Sequence, residues 1–181
     1  MLKLVGRMEE LLAQQSDNAC ERILGMYRRA HMRGLDAVGG NYHARSFVAL
    51  QERRVPLLGK LQRFRSQGEA MCNTGDMFMS TDVKTAATWY QRARDVGAAH
   101  GFFSVESKAC RGLGFMEVAK GRHEEGLDLL RNSLAAAELN ELDDPVYVLE
   151  ALECLIGALF ATASIDEVHD IKQLKPKPPN S

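Results

Sequence analysis

The amino-acid sequence predicts an all-α protein, a stack of antiparallel helix pairs with about eight helices, and three observations lead there. Prolines are few: five in 181 residues, three of them (Pro176, Pro178, Pro179) in the last six, in a body rich in Ala, Leu, Arg and Glu that favours helix. No segment keeps the alternation of a half-buried strand. Finally, small residues recur at fixed spacings from one segment to a later one.

Each element follows from its local signals. Met1–Gln14 places Leu4, Met8, Leu11 and Leu12 on one helical face. Asp17-Asn18 is expected to cap a helix running to about Arg33, broken by Gly34 and the Gly39-Gly40 pair. Tyr42–Arg54 is expected to stop before Pro56, because the residue preceding proline avoids the helical region. Leu57–Met79 reads as one mostly helical stretch, weakened by Gly68 and Gly75. Ser80-Thr81-Asp82 caps Val83–Ala99, and His100-Gly101 turns the chain into Phe102–Ala119. After Gly121 comes Arg122–Leu139. Asp143-Asp144-Pro145 then starts a helix to about Thr162. Ser164 and Glu167 form a capping box for a last short helix, and the Lys175–Ser181 tail is expected to be disordered.

Composition narrows function. Net charge is −1, so no global field draws nucleic acid. The charge is split: residues 1–100 carry 15 Lys/Arg against 10 Asp/Glu, and residues 101–181 carry 8 against 14, an asymmetry that allows head-to-tail self-association. No apolar run approaches the ~20 residues needed to span a bilayer, and Met1–Leu12 is too charged for a secretory signal. With four cysteines in no disulfide-framework spacing, a cytoplasmic location is expected.

Cys20, Cys72, Cys110 and Cys154 lie 52, 38 and 44 residues apart, each followed by two variable residues and then small or aliphatic ones. That places them at one equivalent position in the first helix of successive pairs. The second helices agree: Ala86, Tyr90 and Ala93 share their spacing with Gly126, Leu130 and Ser133, 40 residues later. A small, a large and a small residue on one face let two helices approach while the large side chain fills the gap between pairs. The pattern resembles the tetratricopeptide repeat. The resemblance is carried by Ser107–Glu138, through Leu113-Gly114, Gly121, Gly126, Leu130 and Ser133-Leu134, and by Thr81–Val96; Leu24 and Tyr27 carry it within residues 17–54. The turn proline of the family is missing, and the period is near 40, against about 34 in the family. The resemblance implies a right-handed superhelical α-solenoid, a single domain over residues 1–174 with its best-formed repeats at about 62–162, and a concave groove lined by the first helices.

No pattern supports catalysis. No two cysteines are closer than 38 residues, far from the paired spacing of structural zinc. Cys110 has Lys108 and Arg111 nearby in sequence, but near neighbours on a helix point apart. His31, His43, His100, His123 and His169 form no metal-binding pair, and His100 and His123 are expected in turns. Glu124-Glu125, Asp143-Asp144 and Asp166-Glu167 sit at helix starts, where they complement the helix dipole. Arg22, Arg28, Arg29, Arg33, Arg53, Arg54, Lys60, Arg63 and Arg65 make the first half basic, which keeps an RNA-binding helical repeat as the alternative, although no repeating polar pair could read bases.

The expectation is therefore a non-catalytic interaction module, without cofactor or metal, that takes a partner peptide or helix in its groove. The resemblance implies that Asn73, Met77, Lys108, Arg111, Phe115, Leu155 and Leu159 face it. Lys108, Arg111 and Asn73 could hold a carboxylate through charge-assisted hydrogen bonds, and Phe115, Met77 and Leu159 would give apolar contact. The first-helix lysine–asparagine pairing of the family's carboxylate-clamping members is absent.

Overall fold

The computed structural model describes residues 16–19, 21–22, 42–139 and 145–162. Among them the chain is helical throughout its regular structure: α1 (Tyr42–Lys60), α2 (Phe64–Phe78), α3 (Val83–His100), α4 (Phe103–Ala119), α5 (His123–Leu139) and α6 (Val146–Ala161), with residues 17–19 and 21–22 also helical. No described residue lies in a strand. The expected helix over Met1–Gln14, the Gly34 and Gly39-Gly40 break, the Ser164 capping box and the Lys175–Ser181 tail fall outside the described residues, as do Cys20 and the acidic pairs Asp143-Asp144 and Asp166-Glu167.

Two expectations about the first half change. The helix does not stop before Pro56; α1 continues through it to Lys60. Proline in a helix forfeits the hydrogen bond to the carbonyl four residues back. Here Glu52 and Pro56 are both exposed, so water can satisfy that carbonyl, while Leu50, Val55 and Leu58 are buried and hold the helix in place. The stretch after Pro56 is not one helix, because the chain turns at residues 61–63. Gln62 takes a left-handed conformation (φ 54°), and the Arg63 amide reaches back to the Leu58 carbonyl at 2.9 Å. Farther upstream, the Ser16 hydroxyl, and neither Asp17 nor Asn18, accepts from the Ala19 amide at 3.4 Å.

The same turn recurs with the residue built for it. Gly101 (φ 69°) and Gly121 (φ 80°) are left-handed, and the next amides, Phe102 and Arg122, reach the Gly97 and Glu117 carbonyls at 2.9 and 3.0 Å. This is the Schellman closure, and glycine adopts it without steric cost. The α2–α3 connection closes differently. Asp82 caps α3, accepting from the Thr85 amide at 3.1 Å and the Thr85 hydroxyl at 2.7 Å.

Connections this short fold each helix back against the last, and the contacts give the direction. Ser133 donates to the Ser107 carbonyl at 2.9 Å near one end of the α4–α5 pair, and Gly114 meets Gly126 near the other, so the helices run antiparallel. A Cβ on Gly114 would lie 2.8 Å from Leu130 and 2.9 Å from the Gly126 carbonyl, so the two helices approach closely here. The small–large–small sets on α3 (Ala86, Tyr90, Ala93) and α5 (Gly126, Leu130, Ser133) are all buried, in the role their spacing predicts.

Consecutive helices pack against each other, and α2 also packs on α4 and α4 on α6. The α2–α4 contacts ascend together, from Gly68 with Val105 to Asp76 with Lys108, so these two helices run parallel. Tyr90 fills the wedge between them from α3. Its ring is pressed by Gly75 on one side and Gly112 on the other, and its hydroxyl donates to Asp76 at 2.5 Å.

A candidate partner-binding face on the first helices

Helical spacing places Glu69, Asn73, Asp76 and Met77 along one face of α2, Lys108, Arg111 and Phe115 along one face of α4, and Glu150 and Glu153 along one face of α6. Because α2, α4 and α6 pack in sequence, these residues form one surface. Lys108 Nζ donates to Asn73 Oδ1 at 2.9 Å and pairs with Asp76 Oδ2 at 3.0 Å. Arg111 pairs with Glu150 Oε2 at 2.5 Å. Asp76 thus takes Tyr90 on one oxygen and Lys108 on the other, tying the surface charge to the interior.

Five of the seven residues expected here are on this face: Asn73, Met77, Lys108, Arg111 and Phe115, the last 40% exposed. Leu155 and Leu159 are not. They are 3% and 0% exposed, packed with Leu127, Leu130 and Ala158 between α5 and α6, and offer no apolar surface. The exposed apolar residues of α6 are Val146, Leu149 and Phe160. Sequence reasoning also missed Asp76, Tyr90 and Glu150. Asp76 had a signal, since it stands three residues from Asn73 and on the same face. The partners of Lys108 and Arg111 lie too far along the chain for local spacing to reveal.

The cysteines occupy different environments. Cys72 is fully buried between α2 and α4, its thiol 3.8 Å from the Val105 carbonyl, and burial pushes its pKa up to about 12 against the opposing pull of Lys108. Cys110 instead lines a groove of about 380 Å³ with Arg94, Phe103, Glu106, Asn132 and Leu139, on the side of α3 and α5, and burial raises it to about 11. Cys154 is half-buried beside the α5–α6 cluster and is raised by desolvation. Burial matches at a 40-residue offset elsewhere: Gly114, Gly126 and Leu130 correspond to Thr74, Ala86 and Tyr90, all buried. At that offset Cys110 corresponds to Ala70, and Cys72 sits two positions on, roughly 200° round the helix.

Much of the basic first half is internally neutralised where it is described. Glu21 accepts from Arg54 at 2.9 Å and from Arg63 at 2.8 Å, and Arg65 pairs with Glu69 at 3.3 Å. His100 ends α3 with its ring stacked on Phe64 at 3.7 Å, and His123 opens α5, exposed. Among the described residues no three His, Cys, Asp or Glu side chains gather as a metal site, and no helix is long and apolar enough to cross a membrane. No protein-family model and no curated protein matches the chain.

Proposed function

We propose that this chain is a non-catalytic interaction module of the tetratricopeptide type, a right-handed helical stack working in the cytoplasm, that binds a protein partner as a peptide or helix across the α2–α4–α6 face. The observation that carries the reading is the side-by-side packing of these three helices, which aligns polar side chains from all three with the exposed ring of Phe115. An exposed aromatic sharing a helix face with an arginine is the composition expected of a binding hot spot. Two further features support a repeat: the matching buried sets on α3 and α5, and the alternation in which α2, α4 and α6 touch one another.

The test is affinity capture from lysate of the source organism on the immobilised full chain, compared with Phe115→Asp, whose exposed position leaves the fold intact. Proteins retained by the first and lost by the second support the reading. If every retained protein binds both equally, this face is not the interface.

A further inference from the structure

The charges on this face are arranged in layers, and the layers select a kind of partner. Carboxylates come from the two outer helices, Glu69 and Asp76 on α2 and Glu150 and Glu153 on α6; the central helix α4 contributes the cations Lys108 and Arg111, and Arg65 on α2 pairs with Glu69 at 3.3 Å. The two sets stand at different depths. The Asp76 and Glu150 side chains are 49% and 45% exposed, whereas those of Lys108 and Arg111 are 28% and 17%. The cations are recessed beneath the carboxylates that pair with them.

An acidic ligand fits this surface badly. To reach Lys108 it would displace Asp76, which the Tyr90 hydroxyl also holds at 2.5 Å. At Arg111 it would share the guanidinium with Glu150, which already holds it at 2.5 Å. In both places it would approach through outward-facing carboxylates, and a like charge brought close is repelled. A cationic ligand displaces nothing at Asp76 and Glu150, and at Glu69 it shares the carboxylate with Arg65. An ionised carboxylate offers about four acceptor sites. Asp76 spends one on Tyr90 and one on Lys108, and Glu150 one on Arg111, so acceptor capacity remains on the solvent side.

We propose that the segment recognised on this face is extended and basic, with two Lys or Arg side chains astride an apolar one. The proposal rests on the binding face put forward above and adds its specificity. Packed helix axes stand about 8–10 Å apart, so α2 and α6 are separated by roughly 16–20 Å across α4. An extended chain covers that span in about five or six residues at ~3.3 Å each. One cation of the partner meets Glu69 and Asp76, the other meets Glu150 and Glu153, and the apolar residue between them covers Phe115.

The experiment pans a displayed library of random linear peptides on the immobilised full chain and measures the selected peptides by fluorescence anisotropy. The expected winners carry Lys or Arg at two positions about five or six apart with an apolar residue between, spanning the face. Their Kd weakens about fivefold in the Glu69→Gln/Glu153→Gln double variant, as two exposed ion pairs would give, and weakens again as salt rises. Selected peptides that are acidic, or whose Kd is unchanged in the double variant, overturn the basic specificity. If those peptides still lose binding to Phe115→Ala, the face itself stands. A library that yields no binder, or binders indifferent to Phe115→Ala, overturns the face and the specificity together.

Discussion

Replacing Gly112 with alanine tests whether Tyr90 really locks α2 to α4. A Cβ at position 112 would stand 2.5, 2.6 and 2.7 Å from three atoms of the Tyr90 ring, roughly 1 Å inside ordinary carbon contact. The ring cannot retreat: it is 1% exposed, a Cβ on Gly75 would meet it at 2.9 Å from the other side, and its hydroxyl is held by Asp76. Overpacking a rigid site costs about 1–3 kcal/mol, and the upper end applies where no atom can move away. Alanine recovers up to about 1 kcal/mol through its higher helix propensity. The expected net loss is therefore about 2 kcal/mol, or about 1 M in the urea midpoint for a slope of about 2 kcal/mol/M. Gly157 supplies the control. It is helical, exposed and has nothing within 4 Å of a Cβ, so Gly157→Ala should move the midpoint the other way, by up to about 1 kcal/mol. A double-mutant cycle isolates the contact: in a Tyr90→Leu background the cost of Gly112→Ala should shrink. If that cost is the same in both backgrounds, or if Gly112→Ala is as stable as the parent, the wedge account is wrong.

Three further outcomes are expected. Gln62→Gly should raise stability by about 0.5–1 kcal/mol in urea melts, since a left-handed residue costs about 1–2 kcal/mol with a side chain and glycine returns part of that as entropy. Glu21→Ala should cost about 3 kcal/mol, because it strands the buried Arg54 guanidinium; the companion Arg63 is half-exposed and adds little, and a Glu21→Met/Arg54→Met pair should restore most of the loss in the same melts. Iodoacetamide at pH 8 followed by mass spectrometry should label Cys154 well before Cys72 and Cys110. Burial raises the latter two to about 12 and 11, so their thiolates form only as pH climbs toward those values, and faster labelling of Cys72 would contradict its burial.

Helix type and most helix ends were legible because their signals are local. Asp82 caps and Gly101 and Gly121 turn the chain wherever the rest of it lies. Gln62 was illegible for the converse reason: nothing in the residue asks for a left-handed turn, and the buried Leu58 and Val55 impose it from outside. Gly68 and Gly75 looked like weaknesses in a helix and are sites where Val105 and Tyr90 pack closely against it. On the candidate face, helical spacing puts Phe115, Lys108 and Arg111 on one side of α4, while the choice of that side came from the family resemblance. Leu155 and Leu159 were misplaced because α6 is apolar on nearly every side, so periodicity does not tell its core face from its outer one. The cysteines suggested a register by chemical identity, whereas packing selects for size and direction, and the 40-residue match in burial falls on Gly114 and Thr74.

The packing pattern bears on how the chain acquires its structure. Each described helix packs substantially on its neighbour in sequence or on the next but one, and among the described residues the longest-range side-chain hydrogen bond, Arg63 to Asn18, spans 45 residues. Contacts of such short sequence range make loop closure cheap and folding fast. Each Schellman turn sets the direction of a hairpin before any distant part has arrived. A clash at Gly112 therefore strains first the joint it touches, between α3 and α4, where Tyr90 meets it.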